Sequence, residues 1–128
     1  SLRKSSDMKK ESQFGIGVDI EDIGRFAGLR RTKDGPFLKK IFTAGELDYC
    51  FSKKNAAPHL AARFCAKEAV VKALHGVATL SYTDIEIVSS RKVPRVVLRK
   101  GSPKDYRAEI SLSHSGGMAI AFALVRTR

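Results

Sequence analysis

The sequence predicts a single α+β domain, and three observations carry that prediction. Residues 61–76, AARFCAKEAVVKALHG, read as one helix of about four turns that is apolar nearly all round. Short segments with strand-like alternation follow it, the last two flanking the turn signal Ser115-Gly116-Gly117. A β-branched, glycine-spaced apolar run precedes it at residues 14–20. A chain of 128 residues has room for one real core.

Residues 1–13 are charged and lack periodicity, as expected of a flexible tail, which leaves residues 14–128 as the single domain. The run FGIGVDI at residues 14–20 reads as a buried strand. Asp19 inside it needs explaining, because aspartate is depleted in strands. It either caps a following helix or ligates a metal, and from these residues alone the cap is the simpler reading. Gly15 and Gly17 make a bare G-x-G, too little for a nucleotide loop. Residues 21–29 suggest a first helix with Ile23, Phe26 and Leu29 on one side and Arg25 on another. Residues 30–36, RRTKDGP, read as a loop, and residues 37–42 as a short helix. Thr43 and Glu46 have capping-box spacing and open a helix over residues 46–51. Pro58 suits the first turn of the main helix, with His59 exposed at its entrance.

On the main helix, Leu60, Phe64, Val71 and Leu74 fall on one side. Ala62, Ala66, Ala69 and Ala73 form a small-residue side that lets another element approach closely. Only Arg63, Lys67, Glu68 and Lys72 interrupt the apolar surface. A helix apolar all round is a buried one, and charges on it need partners. Two readings follow: an ionic site, or a core helix with one satisfied salt bridge. Glycine at position 76 supplies a stop. Strands are then expected at residues 84–88, 95–99, 109–114 and 118–126. In the third of these Ile110, Leu112 and His114 share a face by the two-residue period. Taken alone, His114 reads as a core histidine satisfied by a backbone group.

The formal net charge of +11 points to an anionic partner. A small basic nucleic-acid-binding module is the rival reading. Scattered basic pairs, three tyrosines and no tryptophan argue against it. Cys50 and Cys65 lack metal-ligand spacing, and a reduced, cytoplasmic protein is the default. No apolar run is long enough for a membrane span.

Three segments then coincide in order and spacing: Gly15-Ile16-Gly17-Val18-Asp19-Ile20 with Arg25 and Phe26; Leu60 to Ala69 with Lys72-Ala73-Leu74; and Ile110-Ser111-Leu112-Ser113-His114-Ser115. Together they resemble the holo-acyl-carrier-protein synthases, the short 4′-phosphopantetheinyl transferases, from about residue 14 to the C-terminus. The resemblance implies one antiparallel sheet packed on a long central helix, and a homotrimer with active sites between subunits. It implies transfer of 4′-phosphopantetheine from coenzyme A to a serine of an apo acyl carrier protein, with Mg²⁺ and release of adenosine 3′,5′-bisphosphate. The carrier would serve fatty acid or polyketide synthesis.

Carried over by position, Asp19 and Glu68 match the metal-binding carboxylates, which suits the oxygen preference of Mg²⁺. Asp19, Glu68 and Lys72 are the expected catalytic residues, Lys72 reaching the phosphates. Asp19, Arg63, Lys67, Lys72, His114 and Ser115 are expected at the coenzyme, Arg63 at its 3′-phosphate. Arg25, with Arg30 and Arg31, is expected to meet the acidic carrier protein. The acceptor for the serine proton stays open between these carboxylates and solvent at the metal. The resemblance leaves the basic content of residues 91–106 unassigned.

Overall fold

The computed structural model describes residues 14–99 and 106–127. The expected tail over residues 1–13 lies outside them, as does part of the basic stretch after residue 91. Strand β1 (Phe14–Asp22) leads into a short 3-10 turn at Ile23–Phe26. Helices α1 (Gly35–Ile41), α2 (Ala44–Phe51) and α3 (Ala57–Ala73) follow. A second 3-10 turn (Tyr82–Asp84) introduces β2 (Ile85–Ser90), β3 (Val93–Leu98), β4 (Tyr106–Ser115) and β5 (Met118–Thr127).

The α+β class holds, with one refinement of the sheet. Among the described residues the strands form two antiparallel ladders, β1-β5-β4 and β2-β3, with β3 packed beside β4. Gly116 and Gly117, at φ +57 and +80, make the tight turn that joins β4 to β5, as expected. The first helix expected over residues 21–29 is not formed. Pairing with β5 carries β1 on to Asp22, opposite Met118, and Gly24 and Gly28 interrupt what remains. The cap of this turn is Asp22, whose carboxylate accepts from the Gly24 N–H at 2.8 Å. Asp19 is therefore a strand residue, and capping is not its role.

Helix α3 is shared by two cores. One side packs Cys65, Ala66, Ala69 and Val70 against Ile85 and Ile87 of β2 and Ala121, Ala123 and Val125 of β5. The other sets Leu60 and Ala61 against Phe26, Leu38, Phe42 and Leu47. The alanine side does let a strand approach. A Cβ on Gly17 would lie 2.0 Å from the Ala69 carbonyl oxygen, and one on Gly15 2.0 Å from that of Ala73. The G-x-G therefore serves helix–strand contact: even alanine at residue 17 would push α3 off the sheet. Pro58 sits in the first turn of α3, and Gly76, at φ +82, follows its end. Thr43 and Glu46 make both bonds of the capping box on α2.

Candidate active site

The two-residue period of β1 decides which of its side chains meet α3. Phe14, Ile16, Val18 and Ile20 point away from the helix and are exposed. Gly15, Gly17, Asp19 and Glu21 form the opposite, helix-facing row. Two carboxylates are thereby brought under α3, where Glu68 and Lys72 lie one turn apart. Lys72 Nζ donates to Asp19 Oδ1 at 3.0 Å and to the Val18 carbonyl at 3.0 Å. Asp19 Oδ2 is buried and has no hydrogen-bond partner.

The cluster is short of positive charge. Burial, then a hydrogen bond and the charge of Asp19, push the Glu21 carboxyl up to about 7, with Glu68 adding to the effect and Arg25 opposing it. A hydrogen bond to Glu68 pushes the Tyr82 phenol up to about 12. The Asp19 hydrogen bond raises Lys72 in turn. A donor set of hard oxygens with one buried, unpartnered carboxylate oxygen fits Mg²⁺. Among the described residues no three acidic, histidine or cysteine side chains make a closed metal cage.

Arg63 and His114 meet elsewhere, in a cavity of about 450 Å³ between α3, α2, β4 and the β2–β3 hairpin. Arg63 is 5% exposed. It donates to Ser89 Oγ at 2.9 Å, and its guanidinium stands 4.0 Å from the Tyr49 ring centroid. Glu68 and Lys72 lie roughly 140–180° around α3 from Arg63, so the two groups occupy different flanks of the helix. His114 lines the cavity beside Ile110 and Leu112, as the strand period required, but it is exposed and is no core histidine. Ser115 pairs with Met118 at the hairpin end, outside the cavity lining. His59 is half-buried, edge-on to Tyr49, and lines the same cavity, so the expectation of a merely exposed histidine is corrected.

Lys67 also needs correction. Its side chain is 0% exposed, paired with Glu46 at 2.8 Å and bonded to the Tyr82 and Ile85 carbonyls. With its ammonium enclosed by these oxygens, it does not face a coenzyme. Arg25, Arg30 and Arg31 are exposed, as a docking surface requires. Arg25 is anchored to Glu21 at 2.7 Å, and Arg31 pairs with Asp48.

Residues 15–123 match the family model of the 4′-phosphopantetheinyl transferase superfamily. The chain belongs to that superfamily. It is 45% identical over 116 residues to a holo-[acyl-carrier-protein] synthase of Chlamydia trachomatis serovar D, covering 87% of this chain and 98% of the relative. It resembles the crystal structure of a holo-(acyl-carrier-protein) synthase from Bacillus anthracis in complex with CoA (3′,5′-ADP), at TM-score 0.71 and 27% identity, over 89% of this chain and 96% of the other. The acyl carrier protein synthase of Mycobacterium tuberculosis gives TM-score 0.69 at 34% identity, over 89% and 97%. In this superfamily member, position in the strand could have revealed Glu21, which lies one period beyond Asp19. Nothing in sequence spacing ties Tyr49, Ser89 and Lys92 to Arg63.

Proposed function

We propose that this chain transfers the 4′-phosphopantetheine arm of coenzyme A to a serine hydroxyl of an apo acyl carrier protein. The serine oxygen bonds to the phosphorus nearer pantetheine, the pyrophosphate P–O bond breaks, and adenosine 3′,5′-bisphosphate leaves. The observation that carries this reading is the buried, unpartnered Asp19 carboxylate oxygen beside Glu21, Glu68 and Lys72. Asp19 and Glu68 would hold Mg²⁺, which would neutralise the pyrophosphate and the charge developing on the leaving group. Lys72 supplies a mobile cation at the same place, half-exposed and able to turn from Asp19 to a phosphate. The proton leaving the serine has carboxylate acceptors in the cluster. Arg63 and His114 fit the 3′-phosphate end of the coenzyme, with the net charge of +11 suiting both anionic substrates. Arg25, Arg30 and Arg31 offer the carrier protein an exposed basic surface.

A trimer accounts for two features together. The outer sheet face exposes Ile16, Val18, Ile20, Ile120 and Phe122, with Ile16 60% and Phe122 45% exposed, an apolar surface that a partner would cover. The carboxylate cluster and the Arg63 cavity lie on different flanks of α3, so one coenzyme could bridge neighbouring copies. Phe122→Asp is expected to shift the sedimentation coefficient from trimer to monomer, and an unchanged trimer would rule this face out. Two buried free cysteines suit the reducing cytoplasm, and among the described residues no helix is long and apolar enough to cross a membrane.

Intact-mass spectrometry of an apo acyl carrier protein, incubated with this protein, coenzyme A and Mg²⁺, tests the reaction. The carrier should gain the mass of one phosphopantetheine arm, and chelator should abolish the gain. No gain with competent apo carriers would defeat the proposal.

A further inference from the structure

Three contacts hold Tyr82 to one face of α3. Its ring packs against Phe64, with centroids 5.5 Å apart. Its carbonyl oxygen accepts from the Lys67 ammonium at 2.8 Å. Its hydroxyl hydrogen-bonds the Glu68 carboxylate. Residues 64, 67 and 68 stand at the i, i+3 and i+4 positions of a helix, so one tyrosine spans a single turn of α3.

The 3-10 turn that carries Tyr82 is itself fixed. Ser81 and Asp84 make both bonds of a capping box around it. The Asp84 carbonyl accepts from the Arg99 N–H at 2.7 Å, and the Lys67 ammonium also reaches the Ile85 carbonyl just beyond the turn. Behind the tyrosine ring, Phe64 lies 5.7 Å from the Phe26 ring. Tyr82 is half-buried, with its ring in this aromatic row and its hydroxyl at the carboxylate cluster. That is the arrangement for which a tyrosine, apolar in body and polar at its tip, is suited.

The phenol faces more than Glu68, because the charges of Asp19 and Glu21 also act on it. A phenol is a donor at neutral pH on its ordinary value, and three nearby carboxylates reinforce that state. Among the described residues Glu68 has no ion pair of its own. A carboxylate without a fixed partner samples several rotamers, and ordering it costs entropy when an ion binds.

We propose that Tyr82 is the positioning residue of Glu68, occupying one carboxylate oxygen and leaving the other to the metal ion. This rests on the Mg²⁺ reading of the Asp19–Glu68 site. It goes beyond that reading in making metal affinity depend on a hydroxyl from the turn before β2, which acts on the ion only through Glu68.

The test is calorimetric titration of the whole chain with Mg²⁺ alone, beside near-ultraviolet difference spectra of the same samples. Tyr82→Phe keeps the ring and should weaken Mg²⁺ binding by roughly tenfold or more, as loss of an outer-shell partner does. Wild-type affinity in this variant would overturn the assignment, whether or not its thermal midpoint falls, since a merely structural tyrosine moves only the latter. The spectra need no variant. The chain has three tyrosines and no tryptophan. Tyr49 lies against Arg63 on another flank of α3, and Tyr106 lines a pocket with Leu74 and His75 at the helix end. Mg²⁺ should therefore perturb tyrosine absorption in the wild type, and Tyr82→Phe should abolish that signal even at saturating Mg²⁺. A wild-type spectrum unmoved by bound Mg²⁺ would also overturn the assignment. A wild type that binds no Mg²⁺ would overturn it together with the metal reading. Absence of transfer activity with Tyr82-dependent Mg²⁺ binding intact would instead defeat the proposed reaction and leave the role of Tyr82 standing.

Discussion

Glu68→Gln is expected to lower phosphopantetheine transfer by about 10²–10³-fold while leaving the metal-free protein as stable as the wild type or more so. The first part follows from the loss of one of the two carboxylates that would hold the Mg²⁺ needed to neutralise the pyrophosphate. The second follows from the crowding of Asp19, Glu21 and Glu68, whose mutual repulsion helps to drive the Glu21 carboxyl up to about 7. Removing one like charge relieves that repulsion, and a glutamine oxygen can still accept from the Tyr82 hydroxyl. A site strained for function behaves this way, whereas a structural ion pair does not. Two measurements separate the cases: single-turnover transfer rates, and thermal midpoints with and without Mg²⁺. Added Mg²⁺ should raise the wild-type midpoint by mass action and should do so much less for the variant. A variant that lost stability along with activity, or kept its rate, would assign Glu68 to the scaffold. Asp19→Asn should act in the same direction on rate, although it also weakens the bond that tethers Lys72 to β1.

The carboxylates stood out in the sequence as pattern violations, although from the residues alone Asp19 read as a helix cap and only the resemblance joined it to Glu68. Asp19 is an acid within an apolar strand, and Glu68 and Lys72 are charges within an all-round apolar helix. Each violates its local pattern, and such violations mark functional places. Glu21 was obscured by a boundary. The expected start of a helix at residue 21 removed it from the strand period, while pairing with Ala119 on β5 keeps it there. The α2 cap was readable because a capping box is local, complete within Thr43–Glu46. The Arg63 cavity was not readable, because its walls come from α2, α3, β4 and a hairpin turn far apart in the chain. The spacing of charges on α3 also could not tell a ligand-facing lysine from a buried one. Lys67 and Lys72 look alike in the sequence, yet one is enclosed and the other is 53% exposed.

That contrast gives the largest expected effect on stability. Lys67→Met should cost about 3–5 kcal/mol, a large part of the 5–15 kcal/mol typical of a domain. The reason is what the substitution leaves behind. Glu46 is 1% exposed, and its carboxylate accepts from the Thr43 N–H at 2.8 Å and from the Ile87 N–H at 2.7 Å. These bonds tie α2 to β2 and hold the charge in place when the ammonium is gone. Burial itself pushes the Lys67 ammonium down, and Glu46 is the main group opposing that. Each ion is therefore tolerable only with the other. Pairing Lys67→Met with Glu46→Gln should recover part of the loss, since a neutral amide oxygen can keep one backbone bond without a stranded charge. Urea unfolding of the two single variants and the double variant measures this coupling directly. Transfer kinetics of whatever folded Lys67→Met protein remains provide the second readout, and its KM for coenzyme A should match the wild type. A variant of normal stability with a raised KM would return Lys67 to the coenzyme and undo the structural assignment.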